Sequence, residues 1–230
     1  MTGRAFTTWP CPTVGGGTHE EIALTFGGKR AVRVLVLPAL FDEANKLRRL
    51  TVEVMQRLDG AGIDSVLPDL PGCNESRQPL EAQSLDHWRQ CAAAAAAHFS
   101  ATHVLTLRGG VLAAPPEMPG WNYAPVAGRQ VLRAMLRART IAAREAGRDE
   151  TIEALQQTGR SEGVELAGWP LGPDLFAQLE SAAPQPDAAQ VEIDQGAIGG
   201  GALWLRAEPD ESPEQADALA AAIATGLAPA

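Results

Sequence analysis

Apolar residues recur along this chain in two alternating rhythms. The run AVRVLVLPAL at residues 31–40 is rich in β-branched residues and leucine and closes on proline, which predicts a strand buried on both faces. From Asn45 the period changes. Leu47, Leu50, Val54 and Leu58 recur at three- and four-residue steps with Lys46, Arg48, Arg49, Glu53 and Arg57 between them, so an amphipathic helix is expected. Gly60 and Gly62 mark its end, and IDSVLPDLPG at residues 63–72 predicts a second short strand entering a turn. Strand, helix and strand in that order imply parallel pairing.

The alternation then repeats. Ser84 stands before LDHWRQCAAAAAAHF as a capping hydroxyl before an alanine-rich helix, and HVLTL at residues 103–107 predicts a third buried strand left through the turn RGGVLAA. Two successive βαβ units predict an α/β fold with a mostly parallel central sheet flanked by helices. Past Pro115 and Pro116 a loop is expected up to Gly120, with WNYAPV at 121–126 as a weak fourth strand. Residues 128–146 read as a basic amphipathic helix, 151–157 and 173–182 as shorter helical pieces, 202–209 (ALWLRAEP) as the last strand and 213–227 as the closing helix. Upstream, EEIALTF at 20–26 alternates as an exposed strand would. Residues 1–19, rich in Thr, Pro and Gly, are expected as a loop or edge arm, and the proline-rich stretch 182–187 as a surface loop. No repeat, charge block or linker divides the chain, so a single domain over 1–230 is expected.

Composition narrows the function classes. With 230 residues, 45% of them hydrophobic and 20% charged, the chain has enough apolar surface for a sizeable core. A formal charge of −9 argues against a nucleic-acid surface, which needs clustered Lys and Arg. No signal-like apolar segment and no membrane span stand out, so a cytoplasmic location is expected. Cys11, Cys73 and Cys91 are widely spaced and read as free thiols, with neither disulfides nor a metal site implied. The glycine runs near Gly15 and Gly199 lack the Lys and Ser/Thr of a phosphate loop, so no cofactor is suggested.

Three blocks in order, PALFDEANKLRRL at 38–50, VLPDLPGCNES at 66–76 and LTLRGGVLA at 105–113, carry a resemblance. An E-x-N-K-x-R-R pattern at Glu43, Asn45, Lys46, Arg48 and Arg49 is followed by D-L-x-G-x-x-x-S from Asp69 to Ser76. The chain resembles the α/β-hydrolase-like proteins of the exosortase A system-associated hydrolase family, over roughly residues 31–179. That resemblance implies a bacterial α/β-hydrolase-like fold, here shortened in its C-terminal half, in a context of exopolysaccharide export and surface-protein sorting. It implies no particular substrate.

A serine hydrolase of this fold carries its nucleophile in G-x-S-x-G at a strained strand-to-helix turn. The corresponding stretch here is Thr106-Leu107-Arg108-Gly109-Gly110, and a guanidinium that stays protonated cannot attack a carbonyl. The fold's triad order ends on a late histidine, yet His19, His87, His98 and His103 all lie in the first half of the chain. Standard serine hydrolysis is therefore not expected. Cys73, beside Asn74 and Ser76 in a turn after a strand, is a candidate replacement nucleophile, with an incidental thiol as its alternative. Arg108 with Gly109 and Gly110 reads either as a clamp for a carboxylate or phosphate, or as a structural ion pair with Asp42, Glu43 or Asp69. Asp42 and Glu43 offer a general base, a helix cap or a counter-ion. Lys46, Arg48 and Arg49, following Asn45 at the start of the helix, offer anion binding or merely a solvated face. Trp88, Trp121, Trp169 and Trp204 read as core or rim aromatics. Three functions stay open: a non-catalytic binder of a small anionic or acyl ligand or of a partner protein; an esterase or thioesterase with unconventional residues; and a structural subunit that associates with itself or a partner.

Overall fold

A computed structural model of the chain describes residues 3–185 and 187–227; Met1 and Thr2 of the expected arm and Pro186 of the expected loop lie outside the described residues. Among the described residues nine strands form in chain order: β1 (Ala5–Pro12), β2 (Thr18–Phe26), β3 (Arg33–Leu37), β4 (Asp64–Pro68), β5 (His103–Leu107), β6 (Gly120–Tyr123), β7 (Val164–Leu166), β8 (Trp169–Leu171) and β9 (Gln190–Ile193). Seven make one sheet in the order β1-β2-β4-β3-β5-β6-β9. Neighbours from β4 through β9 pair in parallel, while β1 and β2 join antiparallel at one edge.

Helices cover both faces, as a parallel sheet requires. On one face lie α1 (Asp42–Gly60) and the closing helix α7 (Pro213–Gly226); on the other lie α2 (Leu85–His98), α3 (Gly128–Glu145) and α5 (Pro173–Ser181). Two further helices are α4 (Ile152–Ser161) and the short α6 (Gln195–Ile198). Alternation along β3 divides the core between the faces: Val34 and Val36 pack with Leu47, Leu50 and Val54 of α1, whereas Leu35 and Leu37 pack with Leu85 and Trp88 of α2. Each such side chain, fully buried, contributes about 1.5–3 kcal/mol of transfer free energy. The Ser84 hydroxyl accepts from the His87 N–H at 3.1 Å and caps α2, and the alanines Ala92 and Ala95 let that helix lie close on the sheet.

Three expectations change. The N-terminal arm is a full edge strand, β1, anchored by the buried Trp9 and Cys11, and it makes β2 an interior strand that buries Ala23, Leu24 and Phe26. Residues 202–209 are not a strand. Leu203–Leu205 form a 3-10 turn after the left-handed Gly199 and Gly200, and the sheet ends instead on β9. β9 escaped a reading by hydrophobic pattern because Val191 and Glu192 face solvent on an open edge. The hairpin β7–β8 was also unforeseen; it reverses through Ala167 (φ 49°) and Gly168 (φ 83°), the paired positive φ values of a type I′ turn.

Candidate functional site

The C-terminal ends of β3, β5 and β6 stand side by side, with Leu37 opposite Thr106 and Leu107 opposite Tyr123. The chain leaves β5 through a sharp turn at Arg108, whose φ of 51° is a left-handed conformation costing a residue with a Cβ about 1–2 kcal/mol. Gly110 is obligatory there, because a Cβ would lie 2.6 Å from the Leu37 carbonyl oxygen and closer still to that of Pro38. Residues 108–113 continue as a 3-10 helix, and Pro115 and Pro116 follow directly, in place of a long helix behind the turn.

Arg108 is held on several sides. Its Nε donates to Oε2 of Glu43 at 3.0 Å and its Nη2 to Oε1 at 3.1 Å, the two-pronged geometry that guanidinium and carboxylate favour. Nη1 donates to the Ala124 carbonyl at 2.9 Å, and the Trp204 ring lies over the guanidinium with 4.1 Å from its central carbon to the ring centroid. Arg108 is 13% exposed and Glu43 22%. Of the partners the sequence allowed, Glu43 is the counter-ion. Asp42 instead pairs with Lys46 at 2.7 Å, and Asp69 accepts from Asn74 Nδ2 at 2.8 Å. Neither Asp42 nor Glu43 caps α1 by a side-chain hydrogen bond, since the capping position is Phe41; both lie in the first turn, where the helix dipole favours them.

Beside this pair, reached through Glu43 and Trp204, opens a cleft of about 400 Å³ walled by Leu40, Phe41, Val131, Met135 and Trp204, with Asp42, Glu43 and Lys46 among its lining. Such a volume suits a small organic ligand. Because Lys46, the cation in this lining, is paired with Asp42, the cleft presents an ion pair rather than a free cation. The sequence left Trp204 as a core or rim aromatic and did not mark Val131 or Met135. The apolar stripe of the helix at 128–146 was the signal that α3 turns a wall toward something.

The remaining candidates fall elsewhere. Asn45 is exposed on α1, and Arg49 points away to Glu53 at 2.9 Å and to Glu211. Asp69, Cys73, Asn74 and Ser76 form a second cluster beyond the end of β4, where the Ser76 hydroxyl donates to Glu21 at 2.6 Å. Burial, reinforced by the Asp69 and Glu21 carboxylates, pushes the Cys73 thiol up to about 12. A nucleophilic cysteine needs the opposite surroundings. The histidines stand on β2 (His19), on α2 (His87 and His98) and on the first residue of β5 (His103), away from the contacts that Arg108 makes. After the last strand, where the triad order would bring a histidine, the chain brings Trp204. Among the described residues no group of three or more His, Cys, Asp and Glu side chains converges to hold a metal ion, and no helix is long and apolar enough to cross a membrane.

A mostly parallel sheet with an antiparallel edge, helices on both faces and a left-handed turn behind its central strand defines the α/β-hydrolase fold. The chain is similar in structure to a thermophilic esterase from Thermogutta terrifontis, solved with malate bound (TM-score 0.54, 12% identity, 97% of this chain and 98% of that one). It is likewise similar to a protein from Agrobacterium vitis S4 assigned as a hydrolase (TM-score 0.53, 11% identity, 96% and 98%) and to DcsB, solved with a substrate analogue (TM-score 0.51, 11% identity, 96% and 99%). At such identity the likeness carries the fold and not the chemistry. No protein-family model matches the chain, and no curated protein matches it by sequence.

Proposed function

We propose that this is an α/β-hydrolase-fold protein without a Ser-His-acid triad, whose strand ends serve binding, and that its ligand is a small acyl-bearing molecule seated in the cleft beside the Arg108–Glu43 pair. The observation that carries the reading is the Arg108–Glu43 pair under Trp204, standing where the fold would place its nucleophile. A pair that occupies the turn leaves neither a nucleophile nor a free cation, which favours an uncharged acyl group over the small anion that the sequence alone admitted. We extend the proposal to a single domain over residues 1–230 in the cytoplasm, and to a place among the exosortase A system-associated hydrolases, supported by the blocks at 38–50, 66–76 and 105–113.

The test combines binding with turnover. Titration with methyl octanoate should change tryptophan emission through Trp204, and Met135→Trp, which fills the cleft, should abolish that change. p-Nitrophenyl butyrate should not be hydrolysed by the wild-type chain or by Arg108→Ser, because a restored hydroxyl still lacks its base. Hydrolysis that disappears in Cys73→Ala or Glu43→Gln, with folding unchanged, would replace this reading with an unconventional esterase.

A further inference from the structure

We infer that the groove between α3 and α4 is a docking site for an acidic, partly apolar polypeptide segment. Arg129, Arg133 and Arg137 are exposed on α3 at four-residue steps. With a rise of about 1.5 Å per residue their stems follow one another at roughly 6 Å along roughly 12 Å of helix. Together they line a groove of about 590 Å³. Several arginines elsewhere are engaged, Arg49 by Glu53, Arg57 by Asp217, Arg139 by Glu150 and Arg160 by Glu180. Among the described residues the row on α3 has no carboxylate at ion-pair distance, and Glu180, the acid among the lining residues, is already taken by Arg160 at 2.7 and 2.8 Å.

Three like charges one turn apart repel, so the row costs the isolated helix stability and the fold gains nothing visible from it. A partner bearing carboxylates reverses that sign. An extended peptide places alternate side chains about 6.6 Å apart, close to the helical step of the arginines. The groove floor is apolar, with Leu132, Leu136 and Ile152, and therefore suits a segment whose carboxylates alternate with apolar residues. Nucleic acid fits less well, because among the described residues no aromatic side chain lines the groove to stack a base.

Fluorescence anisotropy with a labelled peptide of alternating Glu and Leu tests this at low salt. The wild-type chain should bind it, and R129Q/R133Q/R137Q should weaken binding by about tenfold, as expected for three exposed ion pairs. Raised salt should have a similar effect, whereas R144Q, on the same helix outside the groove, should bind as wild type does. Far-UV circular dichroism checks that the triple variant folds, and R133E alone gives a second variant. The proposal is overturned if the wild-type chain does not bind the peptide, or if the triple variant and R133E bind it as tightly as wild type. Tighter binding of an oligothymidylate of equal charge overturns it as well.

Discussion

Arg108 and Glu43 join the end of β5 to the first turn of α1 through two hydrogen bonds of 3.0 and 3.1 Å, under the ring of Trp204. This contact is a structural joint between the two elements. Removing either partner alone strands a mostly buried charge. Glu43→Ala is expected to lower stability by about 1–3 kcal/mol in urea denaturation, and the double variant Arg108→Ala/Glu43→Ala to lose less than the sum of the single losses, with a coupling of about 1 kcal/mol or more. A coupling near zero would mean that the two side chains act independently.

Gly110 and Gly15 make a paired test of the turn. A Cβ at Gly110 would lie 2.6 Å from the Leu37 carbonyl oxygen, while at Gly15 it would meet nothing within 4 Å. Gly110→Ala should therefore cost more than about 2 kcal/mol, because β3 must shift, and Gly15→Ala should stay within about 0.5 kcal/mol. Thermal denaturation of the two variants side by side checks this.

Cys73 should be unreactive in the folded chain. With its thiol pushed up to about 12, the thiolate fraction at pH 8 is only about one part in ten thousand. Iodoacetamide labelling followed by mass spectrometry should show Cys73 modified at least about tenfold faster in urea than in native buffer. Equal rates would reopen the case for a cysteine nucleophile.

Glu21 gives a pH dependence of defined sign. Burial raises its pKa above the ordinary 4.5, against the hydrogen bond from Ser76 and the nearby His19. The folded state then holds its proton to higher pH than the unfolded chain. Its contribution to stability is full below 4.5 and falls as pH rises through the folded value. Glu21→Gln should flatten this fall, matching wild type in acid and equalling or exceeding it at neutral pH, as read from denaturation midpoints across pH. A steeper fall in the variant would contradict the assignment.

Legibility followed the range of the interaction concerned. The strands β3, β4 and β5 and the helices α1, α2, α3 and α7 were readable because a period of two or of about 3.6 residues is written locally in apolar spacing. Within the site, the turn at Arg108 was readable as well, since a strand followed by two glycines and two prolines announces its own geometry. Where burial depended on a distant partner, pattern failed. β1 is a strand because β2 accepts it along its whole length, and β9 because β6 does.

By itself the sequence determined an α/β chain with arginine and two glycines following its third buried strand and no histidine after residue 103, because residue identity and local period need no third dimension. Tertiary structure alone decided that Glu43, and not Asp42 or Asp69, neutralises Arg108, that Trp204 covers it, and that Val131 and Met135 wall the cleft beside it. The physical reason is distance along the chain. Arg108 and Glu43 are 65 residues apart, and an ion pair is chosen by which charges the fold brings within about 4 Å.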